Sequence, residues 1–279
     1  MTNAPRPTKN QRREEAREAA RVAREKQLQR QKTLKWLIPT IASVAILAIV
    51  AGVVWAVIAL QPAPKKEAGP LNMISDGILF ESDGNDGVQY VETKAIPKGG
   101  DPVATTPREG ILNIVTYVDF TCPICQQFEA AYAENLQQLV ASGSATLEVH
   151  PIAILDRNFT GREVSTRANN VGACVANYAP DQFLDVMSAM YANQADEGGP
   201  GLSNSALVDI VTGAGVDDAD VTSCINGESF TPWVGSATDR SLASGVSGTP
   251  TVVINGTKWD SANQSFDDFI NAEIAKLQS

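Results

Sequence analysis

At 279 residues the chain has room for one sizeable folded domain with accessory segments, rather than for two full domains. With 43% apolar and 19% charged residues it is not a wholly disordered chain. The net charge of −10 conceals a division: residues 1–35 hold eleven Lys/Arg against four Asp/Glu, and the remainder eleven against twenty-eight. That acidic main body argues against nucleic-acid binding, where phosphates call for Lys and Arg.

The basic segment, residues 1–35, is dense in Arg, Lys, Glu and Gln and has no apolar stripe wide enough to drive burial. Residues 36–60 follow, Trp36 to Leu60, twenty-five residues without a charge. A bilayer core of about 30 Å needs roughly twenty apolar residues in a helix, so this run is expected to span a lipid bilayer. Trp36 and Trp55 lie towards its ends, where indoles favour the headgroup region. A cleavable signal peptide is the competing reading, with Val57-Ile58-Ala59 as a small-residue site. The apolar run is too long for that and the preceding segment too extended. The basic flank then predicts an N-terminus in the cytoplasm and everything after Leu60 outside it.

Residues 61–105 read as a stalk (QPAPKKEAGP) followed by a β-hairpin over 78–93, with Asp83-Gly84 or Asp86-Gly87 at its turn. Residues 106–279 form the main domain. It opens with a continuous apolar run, Ile111 to Phe120, that fits a buried central strand. Helical spacing over Phe128 to Val140 and a second strand over Ala145 to Leu155 come next. A mostly helical block occupies about 157–245. Thr251-Val252-Val253-Ile254 and Thr257-Lys258-Trp259 then flank Asn255-Gly256, a strong hairpin signal. A helix over Phe266 to Leu277 closes the chain. Strand, helix, strand, helical block, hairpin and helix in this order predict an α/β or α+β domain.

The four cysteines are not alike. Cys122-Pro123-Ile124-Cys125 lies where a strand hands over to a helix. Pro123 suits the first helical position, since its fixed φ fits and its missing donor would be unpaired there anyway. Cys122 then caps the helix, close to free amides and the positive end of the dipole, which favours the attacking thiolate. Cys125, one turn on, is placed to close a disulfide and release a mixed-disulfide partner. An inert disulfide and half of a zinc site are the competing readings. Zinc normally wants a second close pair, whereas Cys174 and Cys224 stand fifty residues apart, and His150 is the lone histidine. No metal or cofactor is therefore expected. On the oxidising side of a membrane, a structural Cys174–Cys224 disulfide is the economical pairing, with two buried free thiols as the alternative.

Two motifs, Val118-Asp119-Phe120-Thr121-Cys122-Pro123-Ile124-Cys125 and Gly248-Thr249-Pro250-Thr251-Val252-Val253-Ile254-Asn255-Gly256, make the chain resemble the DsbA-like branch of the thioredoxin superfamily, in its membrane-anchored actinobacterial form. The likeness runs from about Ile111 to the C-terminus. It implies an α/β thioredoxin-like fold with a helical insertion, here preceded by one transmembrane helix. It also implies Cys122 as nucleophile, Cys125 as resolving cysteine, and Pro250 as a cis proline against the active-site pair, with Thr249 touching sulfur or substrate backbone. Two departures stand out. Ile124 occupies the position where the strongest oxidants carry His, and Thr116 stands where many relatives bury a carboxylate six residues before the first cysteine. Asp119 is close enough to help move protons, though a turn-capping role fits equally well. His150, on a strand, reads as a packed or surface imidazole rather than a base.

The function this implies is oxidation of thiols on exported cysteine-containing proteins, with a membrane redox partner that recycles the Cys122–Cys125 disulfide. A reductase or isomerase would use the same residues. A non-catalytic peptide-binding module with a structural disulfide is the reading of another class, and a cysteine hydrolase would need His150 as its base.

Overall fold

The apolar run at the start of the main domain forms a strand, β3 (Leu112–Val118), in the middle of a mixed sheet. The structure, a computed structural model, describes residues 67–278 together with the isolated positions Arg21 and Lys26. The expected membrane helix at 36–60, most of the basic segment and the first part of the stalk lie outside the described residues. β1 (Ile78–Ser82), β2 (Val88–Tyr90), β4 (Ala145–Pro151), β5 (Thr251–Ile254) and β6 (Thr257–Lys258) complete six strands among the described residues, in the order β2-β1-β4-β3-β5-β6. β3 and β4 run parallel, from Leu112 opposite Ala145 to Val118 opposite Pro151, and every other pairing is antiparallel.

The chain crosses from β3 to β4 through α1 (Pro123–Ala141), which starts five residues ahead of the helical spacing read from the sequence. The first turn escapes a periodicity reading because Pro123 and the half-polar Ile124–Gln127 run carry capping chemistry rather than an apolar stripe. β4 is buried along its whole length and ends four residues before the expected Leu155, where the chain turns into a short 3-10 segment, Asp156–Asn158.

The hairpin read as part of the segment before the domain is built into the domain's sheet: β1 pairs with β4, Phe80 opposite Leu147. Its turn is tied by Asp83, whose carboxylate accepts from the amides of Asn85 and Gly87 at 2.7 and 2.9 Å. Gly84 and Asp86 there both adopt positive φ, which their residue types tolerate.

The helical block resolves into α2 (Val164–Tyr178), α3 (Phe183–Ala192), α4 (Asn204–Gly213), α5 (Ala219–Asn226) and α6 (Thr231–Ala243). Ser203 caps α4 and Asp218 caps α5, each accepting amide protons of the first turn. Cys174 on α2 and Cys224 on α5 are joined by a disulfide, with Cα atoms 5.8 Å apart. The closing helix, α7 (Phe266–Leu277), carries Ser265 as its cap and has the bounds expected from the sequence. Its Phe266 enters an aromatic cluster with Phe128, Tyr132 and Trp259, which fixes α1, α7 and the β6 end against one another. Such ring pairs contribute about 1 kcal/mol each beyond their area burial.

Candidate functional site

Where β3 ends, the chain must turn sharply into α1, and Asp119 holds that turn. Its carboxylate, fully buried, accepts from the Thr121 amide (2.9 Å) and hydroxyl (2.8 Å), the Asn169 amide side chain (3.1 Å), the Ile154 amide (2.9 Å) and the Ser165 hydroxyl (2.5 Å). Its own carbonyl accepts from the Cys122 amide at 2.9 Å. Five donors satisfy the buried charge and pin β3, α2 and the loop after β4 to one point. From the far side Gln194 donates to the carbonyls of Phe120 (2.9 Å) and Cys122 (3.0 Å).

This turn delivers Cys122 to the cap of α1 in an extended conformation (φ −82°, ψ 119°), with Pro123 at the helix start. Cys122 and Cys125 are both buried thiols, and their sulfurs have opposed surroundings. The Cys122 thiol is lowered from 9.0 to about 6. Its main support is the hydrogen bond from the Cys125 thiol. Burial works against the shift, while the Thr249 side chain and the amides of Cys125 and Ile124 add to it. Cys125 is pushed well up, first by burial and then by its neighbour Cys122, despite help from the Asp119 backbone and Thr249. One sulfur is thus set to be thiolate and the other to keep its proton.

Facing the pair is the turn before β5, with a cis peptide between Thr249 and Pro250. The Cys122 thiol donates to the Thr249 carbonyl at 3.4 Å. The Thr249 hydroxyl is buried and makes no conventional hydrogen bond, and it lies near enough to both sulfurs to favour whichever is ionised. Beside the pair runs a groove of about 260 Å³ lined by Ile124, Phe128, Tyr132, Thr249, Pro250 and Trp259. Ile124 stands on its rim with 55% of its surface exposed. Its side chain supplies apolar contact and no hydrogen bond.

Cys122, Cys125, Pro123, Ile124, Asp119, Thr249 and Pro250 are therefore brought to one end of the sheet. Cys174 and Cys224 belong to the helical block. His150 lies elsewhere: its ring packs on Tyr117 (4.7 Å between centroids), its Nε2 is 3.1 Å from Glu148, and Gly77 lies so flat over it that a Cβ there would stand 2.6 Å from the ring. Burial alone would raise the Glu148 carboxyl, but hydrogen bonds from His150, Ser75 and Thr105 hold it below its ordinary value.

Several neighbours escape a reading of the sequence. Glu129, one turn after Cys125 on the same helical face, is signalled by its i+4 spacing. Gln194 and Tyr191 come from α3 and the loop after it and carry no signal, because only tertiary packing brings them to α1. Trp259 is visible only as a strand residue.

Residues 109–272 match the model of a protein family described as thioredoxin. No curated protein matches the sequence. Among solved structures, reduced DsbA from Mycobacterium tuberculosis is 25% identical with a TM-score of 0.56, covering 73% of this chain and 93% of that one. The reduced disulfide bond oxidoreductase DsbG from the same organism is also 25% identical at 0.56, covering 73% and 88%. Oxidised BdbD from Bacillus subtilis shares the fold, at 14% identity and a TM-score of 0.55, over 77% of this chain and the whole of that one.

Proposed function

Because the chain belongs to the thioredoxin family and is a DsbA-like thiol–disulfide oxidoreductase, we propose that Cys122 and Cys125 are its redox pair and that it oxidises the thiols of exported proteins. The observation that carries this reading is the opposed setting of the two sulfurs, with Cys122 lowered to about 6 and Cys125 pushed well up. In the oxidising direction a substrate thiolate attacks Cys122 Sγ. The Cys122–Cys125 bond breaks and its electron pair goes to Cys125. A second substrate thiolate then attacks its own sulfur in the mixed disulfide, forming the substrate disulfide and releasing Cys122 as thiolate. A low thiol pKa makes Cys122 a good leaving group in that last step and so favours oxidation. The groove beside Pro250, with Ile124, Phe128 and Trp259, offers an apolar seat for an unfolded peptide on either side of its cysteine.

The charge-free run at 36–60, with its basic flank, supports an anchored protein whose redox domain lies outside the cytoplasm. There the pair would be re-oxidised by a membrane redox partner. Reduction or isomerisation uses the same residues in reverse, and the exposed Ile124, whose side chain gives the thiolate no hydrogen bond, is the feature that favours this rival.

The test is the redox equilibrium of the protein against glutathione buffers, read by alkylation and mass analysis of Cys122. A potential well above the glutathione poise supports an oxidase, and one near or below about −270 mV, the thioredoxin level, supports a reductase. No exchange at Cys122 would overturn both.

A further inference from the structure

Cys125 poses a problem that its neighbours at the helix start do not solve. To leave or attack as a sulfur nucleophile it must exchange a proton, yet it is buried and its thiol is held protonated. Thr116, on β3 nearby, has no acid–base capacity.

A small cavity lies beneath Cys125, between α1, the sheet and α3. Its walls include Thr116, Cys125, Glu129, Gln137 and Tyr191, and the rest is apolar. It offers about 20 Å³ for the centre of a water molecule, room for one. Besides the thiol, two titratable groups line it, Tyr191 and Glu129, while Thr116 and Gln137 complete its polar wall. Tyr191 is buried and its hydroxyl has no hydrogen-bond partner. Glu129, partly exposed at the protein surface, accepts from the Ser188 hydroxyl at 2.8 Å. A single water there can bond the Tyr191 hydroxyl, the Glu129 carboxyl and the Cys125 sulfur together, the two to four partners a buried water needs.

The geometry points to Glu129 as the proton acceptor and donor for Cys125, acting through this shared cavity, an inference that rests on Cys122 and Cys125 being the redox pair. When Cys125 resolves a mixed disulfide, its proton passes through the cavity to the Glu129 carboxylate. The Cys125 sulfur attacks Cys122 Sγ, the Cys122–Cys125 bond forms, and the bond to the substrate sulfur breaks with its electron pair leaving on the substrate thiolate. The cysteine pair is oxidised and the substrate sulfur reduced. In the opposite direction Cys125 departs as thiolate and the Glu129 carboxylic acid returns the proton.

The groups facing Glu129 are Cys125 on its own helix, Thr116 from β3, and Ser188 and Tyr191 from α3, while β4 contributes only Leu147 and Val149 to the cavity. None brings a positive charge. Burial raises the Glu129 carboxyl, and the Ser188 hydrogen bond offsets this in part, which moves it towards the working range of a general acid–base. The Tyr191 hydroxyl is pushed far up by burial and then by the nearby Cys125 and Glu129, so it relays as a neutral hydroxyl.

The test is stopped-flow reaction of the reduced full-length protein with an aromatic disulfide whose thiolate is coloured. A first release of colour reports attack by Cys122, and a second reports resolution by Cys125. In Glu129→Gln, which can still accept from Ser188, the first phase should be unchanged. The second should slow by about a hundredfold at neutral pH, the lower bound of a general-base contribution. It should also lose the inflection that the unaltered protein shows above the ordinary carboxylate range. Tyr191→Phe, which keeps the ring, should slow the second phase alone. An unchanged second phase and pH profile in Glu129→Gln would overturn the inference. Absence of the first phase in the unaltered protein would instead sink the reading of Cys122 on which it rests.

Discussion

Cys122 Sγ lies 3.4 Å from the carbonyl oxygen of Thr249, across 127 residues of sequence. A helix cap and a turn before a strand, each ordinary alone, make the proposed redox site only when the sheet sets them face to face. β5 pairs with β3 from Thr251 opposite Tyr117 onward, and this register aims the Thr249–Pro250 turn at the cap.

Alkylation of Cys122 should rise through a pH of about 6 and level off above it, because that is where its thiol ionises. The reduced protein inherits a pH-dependent stability. The folded thiol lies below its ordinary value of 9.0, so the stabilising contribution is complete above about pH 9, declines below it, and is lost as pH falls through about 6. Rate profiles with iodoacetamide and unfolding midpoints of the reduced protein check both. An alkylation inflection near 9 would contradict the site as drawn.

Replacing Thr249 with Val keeps the shape and removes the hydroxyl near the sulfurs. The Cys122 inflection should move up by about one unit, or about 1.4 kcal/mol, and the stability of the oxidised protein should hold or rise, since the hydroxyl is buried without a conventional partner. An unmoved inflection would assign the shift to Cys125 and the helix amides alone.

Asp119→Asn turns one acceptor oxygen into a donor amid five hydrogen-bond donors. Urea unfolding should report a loss of about 2 kcal/mol, in the range for hydrogen bonds to a charged group. A midpoint within error of the unaltered protein would deny Asp119 its anchoring role.

The Cys174–Cys224 bond closes a fifty-residue loop. Replacing both cysteines with Ala should cost about 4 kcal/mol in the chain-entropy account, lowering the melting midpoint by about 10 °C for a domain of this size. Alkylation of Cys122 should not change. A change there would mean that the helical block tunes the redox pair.

Trp259→Ala removes one wall of the groove. Exchange with cysteine peptides flanked by apolar residues should weaken by about tenfold, as for a modest aromatic anchor, while exchange with glutathione stays the same. Equal loss for both would mean that the groove supports the fold rather than the substrate.

The parts of this site that lie close together in the chain are legible in the sequence alone. Cys122, Pro123 and Cys125 sit on one strand-to-helix junction, and cap chemistry is local. The Asn255-Gly256 turn and the bounds of α7 are readable for the same reason. The role of Asp119 is not, because three of its five donors, on Asn169, Ser165 and Ile154, arrive from other elements, and only Thr121 is adjacent. The pairing of β1 with β4 is hidden too, since an antiparallel hairpin carries its own register but no address. The cavity under Cys125 leaves no trace in the sequence, because it depends on how α3 leans on α1.

That hairpin also decides what the flanks of the sheet present to other molecules. With β1 seated on β4, that seven-residue strand has no open side, and the outermost strands among the described residues are β2 and β6, three and two residues long. Neither offers more than about 10 Å of unpaired backbone, too little to template a stray polypeptide. Flanks this short leave an unfolded polypeptide little backbone on which to add itself as an extra strand, where a longer flank would seed fibres.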